Sequence, residues 1–449
     1  MGAPIDNPLL NVVRRQKAGI PAGSASICSA LPLVLEAAMQ EASQAGSLVL
    51  LESTCNQVNQ FGGYTGMRPF DFRAVVTEAA VKAGLSPEQV VLGGDHLGPY
   101  PWRSETAASA MEKACALARE CVRAGYAKLH LDASMPLGDD AVAHGQPLPL
   151  ELSAERTAML CRAAEEELRA AGRGAAGFEP VYVIGTEVPV PGGVVDEGEA
   201  PAVTTPAELS RTVAAVEAAF KRHGLSDAWQ RVVAVVVQPG VEFGDRSIFP
   251  YDPERARSLA AALRGYPRLV FEGHSTDYQL PEHLRRMVAD GIAFLKVGPA
   301  LSFAMREGLF LLSHIEDDLR AGLGGEASGL PQALERVMRK RPEHWQRYYH
   351  GSEADIRFSL LYSLSDRIRY YWGDPEVGRA REMLISNLRS RGIPLPLVSQ
   401  YFPAQASRVL SGALAADPEA LVRDRVRDVV RTYTFAVTGR AEEHSRPIG

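Results

Sequence analysis

A chain of 449 residues with 46% hydrophobic and 23% charged residues has the composition of an ordinary soluble globular protein. A net charge of −6 and a pI near 6.0 argue against a nucleic-acid-binding surface. No uninterrupted apolar stretch approaches the roughly 20 residues that span a bilayer, so no membrane partner is expected.

Residues 1–20 read as a short helical lead-in closed by Gly19. The opening lacks the apolar core and small-residue cleavage site of a signal peptide, which predicts a cytoplasmic protein. Eight short apolar runs follow: SASICS (24–29), SLVLLES (47–53), VVLGGDH (90–96), AKLHLDAS (127–134), PVYVIGTE (180–187), RVVAVVVQ (231–238), RLVFEGH (268–274) and IAFLKVG (292–298). Each is too short for a core helix and too continuous to alternate, which is the pattern of a strand buried on both faces. Helical periodicity fills the gaps at 33–44, 71–83, 106–124, 153–171, 206–222, 254–263 and 281–289. Eight strand–helix units in series predict an α/β fold, a parallel (β/α)8 TIM barrel over 21–312.

Two connections, 54–70 and 188–205, are longer than compact domains usually need, and the first is rich in amides and glycine, as a sugar-contacting loop would be. Past 305 the strand pattern stops. Segments 305–321, 330–349, 353–371, 375–392, 395–410 and 415–438 read as helices, giving a helical C-terminal region over 313–439 and a tail over 440–449. The five cysteines form no CxxC pair, so neither a disulfide framework nor a zinc-thiolate site is indicated.

In a parallel barrel the loops after the strands carry the chemistry. Here those ends hold Glu52, Asp95, His96, Asp132, Glu187, Gln238, Glu272, His274 and Lys296. GGDHLGP (93–99) sets Asp95 beside His96, a proton acceptor beside a metal ligand, although Asp95 could equally cap the next helix. FEGHSTDYQ (271–279) adds Glu272, His274, Ser275 and Asp277. Two histidines with carboxylate or amide oxygens suit zinc, or manganese, nickel or cobalt, so His96 and His274 are the expected ligands, with Glu272 or Gln238 completing the shell. His130 alternates inward on the fourth strand and reads as a satisfied core histidine. Lys296 opens the eighth loop, where barrels often hold phosphate, and an imine-forming role for it is the lesser alternative. No GxxxxGK[ST] loop, kinase signature set or GxGxxG fingerprint is present.

The segments NQVNQFGGYTGMRP, GGDHLGP, LHLDASM, YVIGTEVPVPGG, VVQPGVEF, EGHSTDYQ, LKVGPAL and SLSDRIRYYW closely resemble the GatZ/KbaZ family of tagatose-metabolising proteins, over about 20–410. That family is itself similar to class II, zinc-dependent aldolases. The resemblance implies Asp95 and Glu187 as proton-transfer residues, with Asp132 beside them, and His96 as a metal ligand. The residues expected to touch substrate are Asn56, Gln57, Gln60, Ser134, Glu242, Ser275, Asp277, Lys296 and Gly298. The aldolase histidine after the sixth strand is replaced by Gln238 and Glu242, and in the seventh motif Glu272 stands at the usual histidine position. The remodelled shell sets the chain apart from ordinary bisphosphate aldolases, and the resemblance implies C4 epimerisation of D-tagatose 6-phosphate to D-fructose 6-phosphate, or of the free sugars, by retro-aldol chemistry. The other role implied by the resemblance is a non-catalytic, stabilising subunit of a class II tagatose-bisphosphate aldolase. Partners are then a ketohexose or its phosphate, that aldolase subunit, and further copies of the chain.

Overall fold

The computed structural model describes residues 6–143, 146–171, 178–185, 200–320 and 326–439. The eight expected strands form one closed parallel barrel: β1 (Ser24–Cys28), β2 (Val49–Thr54), β3 (Val90–Leu97), β4 (Lys128–Leu131), β5 (Val181–Ile184), β6 (Val232–Val237), β9 (Val270–Gly273) and β10 (Ile292–Val297). Neighbours in sequence are neighbours in space, and β1 closes the ring against β10. A feature without a sequence signal is the antiparallel hairpin of β7 (Glu242–Phe243) and β8 (Ile248–Phe249) after the sixth barrel strand.

Strand alternation sorts the barrel interior into layers. Near the bottom Leu50, Val91, Val270 and Phe294 fill the bore as a small apolar cluster, joined by Leu9 and Val13 of the lead-in helix Leu9–Lys17. Asn7 pins that helix to the barrel floor, its side-chain nitrogen donating to the carbonyls of Ala127 (2.8 Å) and Glu179 (2.9 Å). Two residues further along the same strands the inward positions become Glu52, Gly93, Glu272 and Lys296. The outward residues Leu51, Leu92, Leu129 and Leu295 pack instead into the large core between strands and helices.

The eighth-unit helix runs Pro299–Leu319, across the expected boundary at 312. Beyond it, helices Leu330–Lys340, Glu353–Tyr362, Pro375–Arg391, Leu395–Tyr401, Pro403–Leu410 and Pro418–Thr438 make up the helical region. The expected helix at 353–371 is broken: it stops at Tyr362, and after Asp366 in left-handed backbone (φ 44°) a 3-10 turn covers Arg367–Tyr370. The last helix packs back against Pro32–Ala45 and Pro281–Ala289, with Arg427 on Glu41 (3.1 Å) and Arg423 on Glu36 (2.8 Å). No helix among the described residues is long and apolar enough to cross a membrane.

One close approach governs the mouth. A Cβ placed on Gly98 would lie 1.6 Å from the Asp132 carbonyl oxygen, a backbone atom with no room to retreat. Gly98→Ala is therefore expected to cost at least the roughly 1–3 kcal/mol of overpacking, read as a lower urea midpoint.

Candidate active site

β3 and β4 lose register between Gly94 and Leu97, a bulge that lifts Asp95 and His96 into the mouth. His96 takes left-handed backbone (φ 48°), a conformation costly for a residue with a Cβ and most often retained at functional sites. Ser275, beside His274, is held the same way (φ 53°).

Three imidazoles meet there. The ring centroids of His96, His130 and His274 lie 5.0, 4.9 and 5.1 Å apart, a nearly equilateral triangle. With Asp95 they form a group in which each residue offers a donor atom within 4.8 Å of the others. His130 is thus part of the centre and not the satisfied core histidine expected. Its Nδ1 lies 3.1 Å from Asp95 Oδ1 and 3.2 Å from the His96 amide nitrogen. Nδ1 accepts from the His96 amide in one tautomer and donates to Asp95 in the other; in the tautomer that donates to the ionised carboxylate, the lone pair sits on Nε2. Nε2 is buried with no hydrogen-bond partner among the described residues. Leaving such an atom unmatched costs about 1–3 kcal/mol, and a cation is the natural acceptor of three convergent imidazoles. Burial also holds the His130 pKa low, keeping the ring neutral as ligation requires. His96 is oriented by Asp132, whose Oδ2 is 3.0 Å from Nδ1, while its Nε2 faces Asp95 Oδ2 at 3.8 Å.

Below the triangle lies a layer of ions. Lys128 is fully buried, 2.6 Å from both Glu52 Oε1 and Glu272 Oε2. Lys296 bonds Glu52 Oε2, Asp95 Oδ1 (2.6 Å) and Glu272 Oε1 (3.4 Å), and His274 Nε2 rests 3.1 Å from Glu272 Oε1. Gly93 makes the space: a Cβ there would lie 2.8 Å from Glu52. Burial pushes the Asp95 carboxyl up, but the charges of His96 and Lys296 with the His130 hydrogen bond outweigh it and hold it well below the usual range. Burial likewise opposes the Lys296 ammonium, yet Asp95, Glu272 and Glu52 keep it well above the ordinary lysine value. A lysine so firmly protonated is unsuited to forming an imine.

The other expected residues separate into two groups. Asn56, Gln57, Asp95, His96, Asp132, His274, Ser275, Asp277, Lys296 and Gly298 line one pocket at the mouth. Asp277 accepts from the Gly298 (3.0 Å) and Ala300 (2.8 Å) amides, and burial outweighs those bonds to push its pKa up to about 6. Ser134 donates to Asp132 Oδ1 (2.7 Å), one step behind the pocket. Gln60 donates to the Lys113 carbonyl (2.9 Å), away from it. Gln238 accepts from the Gly240 amide (2.7 Å) and Glu242 from the Phe243 amide (2.9 Å); neither is among the residues that line this pocket, and Glu242 and Glu272 lie outside the donor group. Glu187 lies outside the described residues. The pocket also gains Cys28, Tyr64 and Tyr100, and, from the helical region, Arg369 and Tyr370.

Residues 9–438 match the family model described as D-tagatose-1,6-bisphosphate aldolase subunit GatZ/KbaZ-like. The chain belongs to the GatZ/KbaZ-like family. A solved structure described as a "probable tagatose 6 phosphate kinase" from Sinorhizobium meliloti 1021 is 43% identical, with a TM-score of 0.82, covering 92% of this chain and all of that one. Two further structures are the YdjI aldolase from Escherichia coli K12 and the fructose-bisphosphate aldolase (Fba) from Campylobacter jejuni. They share 11% and 16% identity at TM-scores of 0.40 and 0.42, each covering 86% of this chain and 97% and 94% of their own. In this GatZ/KbaZ-like chain, the signal for Lys128 and His130 was present in AKLHLDAS: Lys128, His130 and Asp132 alternate and share the inward face.

Proposed function

We propose that this GatZ/KbaZ-like protein inverts C4 of a ketohexose, D-tagatose 6-phosphate to D-fructose 6-phosphate or the free sugars, by retro-aldol and aldol steps. The observation that supports this most is the triangle of His96, His130 and His274 with the unmatched Nε2 of His130. A divalent cation held by these imidazoles, zinc or alternatively manganese, nickel or cobalt, supplies a Lewis acid for the negative charge that develops at O2 and O3.

C4 of a 2-ketose is not α to the carbonyl, so direct removal of its hydrogen is unfavourable. Removing the O4 proton instead lets the C3–C4 pair pass into a C2–C3 enediolate, with C4 leaving as an aldehyde. Turning the aldehyde and re-forming the bond returns the proton to O4 on the opposite face. Asp95, kept ionised and lining the pocket, and Glu187, outside the described residues, are the two proton-transfer candidates, with the face each serves left open. Asp132 fixes the His96 ring, and Asn56 and Gln57 supply amides for the hydroxyls.

Turnover in D2O should give fructose 6-phosphate without deuterium at C4; deuterium there excludes the retro-aldol route. Asp95→Asn should lower kcat by about 10²–10⁴ with metal content retained, and unchanged turnover removes Asp95 from its role. The family description favours a second reading, a non-catalytic subunit that stabilises a tagatose-bisphosphate aldolase. The kinase wording of the Sinorhizobium relative finds no nucleotide-binding motif in this sequence.

A further inference from the structure

Barrels commonly grip phosphate with a cation or helix N-terminus in the last βα loop. Here both are occupied. Lys296 is committed to the carboxylates beneath the site, and the amides of Gly298 and Ala300, opening the helix Pro299–Leu319, are capped by Asp277. Among the described residues one other lysine or arginine lines the pocket, Arg369, contributed by the helical region.

Arg369 is arranged differently from the paired arginines around it. Its Nη1 donates to the carbonyls of Ser365 and Asp366, and its Nη2 to the Tyr370 hydroxyl (3.0 Å). All three partners are neutral, and among the described residues Arg369 has no carboxylate within ion-pair distance. Neighbouring Arg367 lies over the Tyr348 ring with Nη1 on the His344 carbonyl, also without a carboxylate. Asp366 is taken by Arg306 (3.4 Å) and Ser302 (2.6 Å). Of these three guanidiniums only Arg306 is paired with a carboxylate among the described residues, and only Arg369 lines the pocket.

The segment that carries Arg369 is held firmly. Tyr278 donates to the Leu364 carbonyl (2.5 Å), the Leu364 amide donates to Asp245 (2.9 Å), and Ser359 donates to the Asp245 carboxylate (2.6 Å). These three contacts tie the segment leading into the 3-10 turn to loops of the barrel, so the guanidinium is presented pre-formed. A planar fork with no anion of its own matches a phosphate group.

We propose that Arg369 forms an anion subsite for the terminal phosphate of a phosphorylated ketose, with the Tyr370 hydroxyl beside it as a second donor. The helical region then decides between phosphorylated and free sugar. This rests on reading the pocket as a sugar site, but not on turnover there.

The test is equilibrium binding to the full chain, by calorimetry, of D-fructose 6-phosphate against D-fructose. The wild type should bind the phosphate ester at least tenfold more tightly. Arg369→Gln should erase that preference and leave fructose affinity unchanged. Arg369→Lys, which keeps the charge but loses the fork, should retain part of it, and gives the same reading should the glutamine variant fail to fold. Equal affinity for the two sugars in the wild type overturns the proposal. So does a full preference surviving in both variants, or a parallel loss of both sugars. Because binding and not inversion is read, absence of epimerisation leaves the result interpretable.

Discussion

Replacing His130 with alanine is expected to strip the site of its metal. If the three imidazoles hold the proposed cation, loading the wild type at 100-fold excess over Kd should raise stability by about 2.7 kcal/mol. In His130→Ala that increment should vanish at the same metal concentration. Metal affinity should fall by more than about 100-fold, the upper range for losing merely an outer partner of a ligand. Asp95 also loses the group its Oδ1 faces, yet keeps Lys296, so the chain should remain folded. Elemental analysis and melting with and without chelator check both halves. One tightly held equivalent of metal in His130→Ala would return this residue to the structural role that its sequence position first suggested.

The second large effect belongs to Lys128. It is the shared counter-ion of Glu52 and Glu272, all three without solvent exposure. Lys128→Met has suitable volume but leaves two carboxylates with diminished compensation, and breaking a buried pair in this way costs about 3–5 kcal/mol. Part of that loss should be recovered as pH falls. Deprived of the ammonium, the Glu272 carboxyl loses the largest of the charges that hold its pKa down against burial, so acidification costs the variant less stability than the wild type. Adding Glu272→Gln should recover part of the loss at neutral pH. Denaturant midpoints for the two single variants and the double variant, at two pH values, measure this coupling. A neutral effect of Lys128→Met would mean that Lys296 alone balances the layer.

The barrel was legible because each buried strand is a short continuous apolar run, and its ends coincide with the chemistry-bearing residues. Asp95, His96 and His274 could be read for that reason. His130 lies on the expected inward face, and in sequence an inward histidine looks alike whether or not both ring nitrogens find protein partners. Only the spacing of the three rings and the unmatched Nε2 distinguish the two. Glu272 stood at a plausible ligand position, but which acidic residue faces a ligand site and which faces a lysine depends on Lys128, three strands away around the ring. Gln60 turns its amide nitrogen to the Lys113 carbonyl and Gln238 takes the Gly240 amide, contacts that no sequence pattern announces. Arg369 lay beyond sequence reasoning altogether. The helix expected over 353–371 hides the break at Ser363–Asp366 that turns this arginine over the barrel mouth.

The most direct measurement is made on the purified chain alone, with no aldolase subunit present. It should convert D-tagatose 6-phosphate to D-fructose 6-phosphate, lose this activity on chelation, and regain it with zinc, manganese, nickel or cobalt. No inversion with any of these metals, together with a marked rise in the activity of a co-expressed class II tagatose-bisphosphate aldolase, would contradict a catalytic role and favour that of a stabilising subunit.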